Sequence, residues 1–273
     1  MTFVLTRQDK PNRPLLVNIQ AYSIQHTHTI NQRPTTNIPN QTQMSDPKSI
    51  VAQAYDSLAD WYLAWIDHQP SPRERYANKV LENTPSTSPT TKPYILELGC
   101  GPGVPITRLL LSRGARVLAN DISPNQITLA KSQLTTPNNN KNIEYITSDM
   151  TLLSIRPSTL DGVVCFFTLF HLPRSEQKTM LSKILLWLKP GGLLVINFAT
   201  VDEEEIYGEM MGRGIFWSSF PVELNRAMVE EVGFEVEVEE VLASEADRGN
   251  EFQWMAARKG KGKVLVGSGE VKL

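Results

Sequence analysis

The stretch Ile95-Leu96-Glu97-Leu98-Gly99-Cys100-Gly101-Pro102-Gly103-Val104 decides the fold. It reads as a short apolar strand, begun at Tyr94, that runs into three alternate glycines with a helical pattern from Pro105 to Ser112 behind them. A strand feeding a helix through glycines is where an open α/β sheet binds its ligand, outside the carboxyl ends of its strands. Glycines there permit unusual backbone angles and let a ligand approach the chain closely. A dinucleotide fingerprint GxGxxG fails in both registers, because it requires glycine or alanine where Val104 or Ile106 stands. A phosphate loop fails too, since no Gly-Lys-Ser/Thr follows. Glu97 adds a charge argument: a carboxylate at the strand end repels a pyrophosphate and suits a cationic ligand.

Working outward, strands and helices alternate. Strands read at Arg116–Asn120, Ile143–Thr147, Gly162–Phe167 and Leu193–Phe198, and helices at Pro124–Leu134 and Ser175–Leu188. Ser123-Pro124 with Gln126 supplies a helix-start signal, and Lys189-Pro190-Gly191-Gly192 stops a helix and turns the chain into the next strand. A further helix runs from Phe220 to about Val232, followed by strands near Phe234–Val241 and Phe252–Ala257. The link between these two, Ala243 to Asn250, is too short for a helical crossover, so they pair antiparallel. The alternation implies an α/β fold with a largely parallel sheet and helices on both faces.

Upstream, Asp46-Pro47 opens a helical stretch to Asp67 that carries Val51, Tyr55, Leu58, Trp61, Tyr62 and Trp65. Ser71-Pro72-Arg73-Glu74 opens another, ending near Asn83. Thr84 to Lys92 is a connection rich in Pro, Ser and Thr. The expected organisation is a disordered extension over 1–45, one domain over 46–258 with 46–92 as helical cap and linker, and a flexible tail over 259–273. The extension is rich in Asn, Gln, Thr and Pro without an apolar period, and cannot bury enough surface to offset its conformational entropy.

Composition narrows the function classes. The chain of 273 residues is 41% hydrophobic and 21% charged, with a formal net charge of −2 and no basic run, which argues against a nucleic-acid partner. Its 2 cysteines, Cys100 and Cys165, form no metal-ligand or disulfide pattern, so no metal is expected and a cytoplasmic setting fits. No apolar run reaches the roughly 18 residues that span a bilayer, and no membrane partner is expected.

Two acids extend the reading of the glycine loop. Asp121 ends the second strand, 18 residues beyond Gly103, where a carboxylate can accept hydrogen bonds from ribose hydroxyls. The bland alternative, a helix cap, is already filled by Ser123. Asp149, in Ser148-Asp149-Met150 after the third strand, can accept from an adenine amine, with Met150 or Ile122 against the ring.

Glu97-x-Gly99-x-Gly101-x-Gly103, Asp121, Asp149 and Leu188-Lys189-Pro190-Gly191-Gly192 together resemble the class I S-adenosylmethionine-dependent methyltransferases, in their small-molecule "methyltransferase domain" branch. The resemblance covers about residues 50 to 258. It implies a Rossmann-like seven-stranded sheet in the order 3-2-1-4-5-7-6 with strand 7 antiparallel. It also implies S-adenosyl-L-methionine as cofactor and S-adenosyl-L-homocysteine as product. The cofactor carries an ammonium and a sulfonium and no phosphate, which agrees with the charge argument at Glu97. By the resemblance, Gly99, Gly101 and Gly103 line the methionine portion, Asp121 holds the ribose and Asp149 the adenine amine. Tyr55 and Tyr62 lie where such enzymes often contact the cofactor's carboxylate, and Cys100, Ile122, Met150 and Phe166 complete the expected contacts.

Methyl transfer needs alignment and water exclusion more than acid–base chemistry, alignment being worth roughly 7–11 kcal/mol at most. The one evident base is His171, in Phe166-Phe167-Thr168-Leu169-Phe170-His171-Leu172, which serves either to deprotonate the acceptor or to hold its loop. Met210, Met211, Ile215, Phe216, Trp217 and Phe220, with Trp61 and Trp65, either roof an acceptor pocket or pack between helices. Asp202-Glu203-Glu204-Glu205 reads as the solvated start of a helix. The expected activity is methyl transfer to an O, N or S nucleophile of a small, apolar or aromatic metabolite by a monomer or homodimer. Methylation of a protein or RNA, and a catalytically inactive cofactor-binding subunit, are the alternatives.

Overall fold

A computed structural model describes residues 46–66, 69–82, 92–136, 141–244 and 249–260. The expected extension over 1–45, most of the connection over 84–92 and the tail beyond 260 lie outside the described residues.

The chain enters through three cap helices, α1 (Pro47–Ser57), α2 (Ala59–Ile66) and α3 (Arg73–Glu82). Asp46 caps α1 by accepting from the Ser49 N–H at 3.2 Å, with Pro47 at the first helical position. The sequence suggests one continuous helix from here to Asp67, yet α1 and α2 are separated at Leu58. The Ser57 hydroxyl donates to the Ala54 carbonyl at 3.0 Å, a bond that competes with the helical ladder just before the break.

Then follow β1 (Tyr94–Leu98), α4 (Ile106–Ser112), β2 (Arg116–Asp121), α5 (Pro124–Leu134), β3 (Ile143–Thr147), β4 (Leu160–Cys165), α6 (Arg174–Trp187) and β5 (Leu188–Ala199). A hairpin comes next, β6 (Glu203–Met210) and β7 (Arg213–Ser219), and the fold closes with α7 (Val222–Val232), β8 (Phe234–Ser244) and β9 (Asn250–Lys259). The main sheet has 7 strands in the order β3-β2-β1-β4-β5-β9-β8. With the hairpin counted apart, this is the order 3-2-1-4-5-7-6. The first four pairings are parallel, and β9 runs antiparallel to both β5 and β8. The last strand continues through Lys259, one residue into the stretch assigned by sequence to the tail.

Alternate strand residues bury opposite faces, as a period of two requires in a sheet covered on both sides. Leu96, Leu98, Val163, Cys165, Leu194 and Ile196 pack with α6 and α7 through Leu181, Ile184, Trp187 and Val229. Ile95, Val117, Ala119, Val164 and Val195 pack with α3, α4 and α5 through Tyr76, Val80, Leu110 and Ile127.

One expectation is corrected. Asp202–Glu205 does not begin a helix: Glu203–Glu205 belong to β6, which pairs antiparallel with β7 as a separate 2-stranded sheet. The turn Met211-Gly212 has φ values of 52° and 74°, the left-handed pair that a tight two-residue hairpin needs. The aromatic cluster after β5 accordingly sits on a ribbon and not between helices. Ile215 and Phe216 of that ribbon are buried against Val51 and Ala54 of α1.

Candidate functional site

A cleft with about 660 Å³ of empty space, part of it open to solvent, lies at the carboxyl ends of β1, β2, β3 and β4 and beneath α1 and α2. The glycine loop forms its floor. At Gly99, with φ +68°, an added Cβ would stand 2.2 Å from Thr168 Oγ1, so only glycine lets the loops after β1 and β4 meet. Gly101, φ +54°, lies under the Tyr62 ring. Gly103 does different work. It is absent from the cleft wall, and its Cβ would meet Leu134 Cδ1 at 2.6 Å, so it seats the loop on α5.

Asp121 is 8% exposed and lines the cleft. Its Oδ2 accepts the Gly101 N–H and its Oδ1 the Ser123 N–H, both at 2.9 Å. The carboxylate therefore ties the glycine loop to the α5 start while turning toward the cleft. Burial raises its pKa to about 6, opposed by the amide donors of Ser123, Gly101 and Ile122. Asp149 Oδ1 accepts from the Thr151 N–H at 2.8 Å, and its Oδ2 is 2.9 Å from Lys48 Nζ. Burial pushes this carboxyl upward, but the Thr151 amide and Lys48 outweigh it and hold the group below its ordinary value.

Glu97 stands outside the cleft wall. It lies on the α4 face of β1, 5% exposed, and accepts the Thr107 hydroxyl at 2.6 Å. Desolvation raises its pKa to about 8, and Thr107 opposes the shift. Its carboxyl is thus withdrawn behind the loop instead of facing the cleft, and burial keeps it protonated well above the ordinary carboxylate range. Cys100 also lies behind the loop, 5% exposed, its thiol directed at the Gly101 carbonyl at 3.5 Å, and burial pushes its pKa upward.

His171 closes the cleft from the loop after β4. Its Nδ1 is 2.8 Å from the Phe216 carbonyl and its Nε2 is 3.0 Å from the Tyr55 hydroxyl. A carbonyl only accepts, so Nδ1 carries the proton, and the bare Nε2 accepts from Tyr55. Burial lowers the imidazole pKa to about 4, against the opposing bond to Phe216. His171 is consequently neutral, with both nitrogens engaged.

Helix α1 is fastened across the cleft at several points. Lys48 meets Asp149 and also Glu176, each at 2.9 Å. Asp56 Oδ1 accepts the Ser123 hydroxyl at 2.7 Å and the Asn125 N–H at 2.9 Å, supplying α5 with a second N-terminal cap from a distant helix.

Of the residues expected at the site, the cleft brings together Tyr55, Tyr62, Gly99, Gly101, Asp121, Ile122, Asp149, Met150, Phe166 and His171. Glu97, Cys100 and Gly103 support the loop from behind. None of the eight residues suggested for an acceptor roof, Met210, Met211, Ile215, Phe216, Trp217, Phe220, Trp61 and Trp65, lines the cleft. Phe216 is fully buried against α1. Trp217 stacks on His171 with centroids 6.3 Å apart, and Trp61 on Trp65 at 5.7 Å. Met211 is 41% exposed at the hairpin tip. The sequence reading missed Lys48, Asn120, Phe167 and Thr168, all on the wall, and gave Gln126 only a capping role. The Ser123 hydroxyl does accept the Gln126 N–H at 3.1 Å, but the Gln126 side chain turns into the cleft, where its buried Oε1 has no hydrogen-bond partner.

Among the described residues there is no cluster of metal-ligating side chains, and no helix is long and apolar enough to cross a membrane.

A family model described as "Methyltransferase domain" matches residues 95–192, from β1 into the start of β5. Among relatives, a carboxy-S-adenosyl-L-methionine synthase of Shewanella loihica is 30% identical over 121 residues, covering 43% of this chain and 48% of the relative. The chain thus spans about half the length of that relative. Two solved structures share the fold at a TM-score of 0.61. One is the 1,6-didemethyltoxoflavin-N1-methyltransferase of Burkholderia thailandensis, 18% identical, with 81% of this chain and 94% of that chain covered. The other is the magnesium protoporphyrin IX methyltransferase of Synechocystis, 17% identical, with 81% and 100% covered.

Proposed function

We propose that this chain, a class I S-adenosylmethionine-dependent methyltransferase by its matched domain and its fold, transfers a methyl group to an O, N or S nucleophile of a small molecule. The observation that carries the reading is the convergence of Gly99, Gly101, Asp121 and Asp149 on one cleft at consecutive strand ends. In this reading Asp121 accepts from the ribose hydroxyls, Asp149 from the adenine amine, and Ile122 and Met150 flank the adenine ring.

The cleft suits the cofactor's charge by a different route from the one the sequence suggests. Glu97 is withdrawn, but Gln126 presents a buried, unpaired acceptor beside Gly101, where an ammonium group would complete its hydrogen bonding. Tyr62, whose ring lies over Gly101, is placed against the methionyl carboxylate in this reading, because the single Tyr55 hydroxyl proton is already given to His171 Nε2. When bound, the cofactor supplies a methyl group activated by a sulfonium, displaced in line with the carbon–sulfur electron pair leaving to sulfur. The chain's own part is alignment and exclusion of water. Phe166 and Phe167 wall the reacting end, while α1, fastened through Lys48, Tyr55 and Asp56, roofs it.

Incubation with methyl-labelled cofactor and fractionated cell extract tests the reading. Label in small molecules is the expected result. Label in protein or RNA overturns the small-molecule assignment, and label in neither fraction overturns transfer itself.

A further inference from the structure

The reacting end of the cleft is walled by rings that the fold holds in place. Phe166 and Phe167 follow β4, and Tyr55 of α1 meets the His171 ring edge-on at a centroid distance of 5.4 Å. Phe167 has φ 54°, a region that bulky residues avoid, and its N–H is held by Asn197 Oδ1 at 2.7 Å. Trp254 packs against both phenylalanines, 5.2 Å from Phe166 and 5.6 Å from Phe167, and Phe252 lies 5.0 Å from Phe167. Backbone strain kept at such a position points to a ring whose placement is used.

Among the described residues of the cleft wall, the side chains able to take up a proton are Asp121, Asp149, His171, Tyr55 and Tyr62. Asp121 is bound to the Gly101 and Ser123 amides, and Asp149 to the Thr151 amide and Lys48. In the reading above these two acids also face the cofactor's adenosine, and Tyr62 its carboxylate. His171 has both nitrogens engaged, and the Tyr55 hydroxyl gives its proton to one of them. The cationic side chain on the wall, Lys48, is shared between Asp149 and Glu176, each at 2.9 Å. The described walls of the reacting end therefore neither deprotonate an alcohol or an ammonium nor pair with an anionic acceptor.

We infer that the acceptor is a flat heteroaromatic base, methylated on a ring nitrogen that bears a lone pair and no hydrogen. Such a nitrogen attacks the methyl carbon directly, the carbon–sulfur pair leaves to sulfur, and no proton leaves the attacking atom. The positive charge passes from the sulfonium to the ring of the product. Aromatic faces attract a cation before and after that transfer, and they stack on a flat acceptor. The inference narrows the O, N or S nucleophile proposed above to a nitrogen, and it rests on the cleft holding the cofactor. The competing acceptor is an anion drawn by the sulfonium alone, whose oxygen or sulfur would carry the methyl group.

The atom that receives the methyl group tests the inference before the molecule is known. The full chain is incubated with isotope-labelled cofactor and the small-molecule fraction of a cell extract, and the product is read by heteronuclear NMR. The labelled methyl is expected on an aromatic ring nitrogen. A methyl on oxygen, sulfur or an aliphatic amine overturns the inference and leaves methyl transfer standing, whereas no labelled small molecule overturns the small-molecule reading and the inference with it. Binding gives a second readout. In calorimetry of the S-adenosyl-L-homocysteine complex, 1-methylquinolinium is expected to bind at least about fivefold more tightly than uncharged 4-methylquinoline. Phe166→Leu should erase that preference, and Phe167→Leu decides the matter if Phe166→Leu does not fold. Equal affinities in the wild-type chain, or a preference that survives the folded variant, overturn the inference. Failure of S-adenosyl-L-homocysteine to bind the wild-type chain overturns the cofactor reading separately.

Discussion

The Tyr55 hydroxyl donates to His171 Nε2 at 3.0 Å while the opposite nitrogen of the same ring is bound to the Phe216 carbonyl at 2.8 Å. One imidazole thus joins the cap helix, the loop after β4 and the hairpin, and has no lone pair left for a substrate proton. This arrangement favours positioning over general-base catalysis. With its pKa lowered to about 4 by burial, His171 stays neutral above that value. Methyl transfer should therefore show no loss of rate as pH falls from about 7.5 to 5.5 that is traceable to this histidine. His171→Gln, which keeps an acceptor for Tyr55, should retain activity within about tenfold, whereas His171→Phe should raise KM for the cofactor. A general base would instead cost both variants about 10²–10⁴-fold in kcat.

Asp121→Ala is expected to weaken S-adenosyl-L-homocysteine binding by at least about tenfold, since it removes a charge-assisted acceptor. Because the carboxylate also holds the Gly101 and Ser123 amides, a thermal melt must accompany the calorimetry. Unchanged affinity in a folded variant would remove Asp121 from the ribose site.

Glu97 makes stability depend on pH. Its folded pKa of about 8 lies above the ordinary 4.5, so the folded state keeps a proton that the unfolded state releases. Its contribution is full below about 4.5 and declines as pH rises toward 8, by about 1.4 kcal/mol per unit at most. Asp121 acts with the same sign between 3.8 and about 6, and His171 with the opposite sign between about 4 and 6.5. The interval from about 6.5 to 8 isolates Glu97. Urea denaturation across it should show a falling stability in the wild-type chain and a flat one in Glu97→Gln.

Gly99→Ala should destabilise the fold by about 2–4 kcal/mol, combining an unfavourable φ of +68° with a Cβ placed 2.2 Å from Thr168 Oγ1. Gly114→Ala is the control. Its φ is +86° with nothing within 4 Å, so only the backbone term of about 1–2 kcal/mol applies. Equal losses in denaturant titrations of the two variants would rule out the loop contact as the reason for glycine at 99.

The sheet and the cleft at its strand ends were legible because topology couples them. Once β1 runs into glycines and each later strand ends on a turn, Asp121 and Asp149 fall at neighbouring strand ends whatever the loops do. Pairings set by three-dimensional approach left little trace. Lys48 and Asp149 are distant in sequence, and nothing local in either marks the other. The partner of His171 Nδ1 is a backbone carbonyl, which any residue at 216 supplies. Gln126 was hidden by its second role, because a helix-start position explains a glutamine without reference to a ligand. The hairpin carried its own signal, with Ile206, Gly208 and Met210 less exposed than the residues between them. The run of three glutamates obscured that period, since acids also favour a helix start.

The β6–β7 ribbon shares no ladder with the seven-stranded sheet. It meets the rest of the fold through β7: the Phe216 carbonyl and Trp217 ring on His171, the Ser218 hydroxyl on the Leu172 carbonyl at 2.6 Å with Gln177 Nε2 2.8 Å from it, Arg174 on the Ser219 carbonyl, and Ile215 and Phe216 against α1. It is therefore an exchangeable cassette. A graft between Ala199 and Phe220 that keeps the apolar side chains at 215 and 216 and a hydroxyl at 218 is expected to replace the ribbon's outer face and leave the register of the parent sheet untouched.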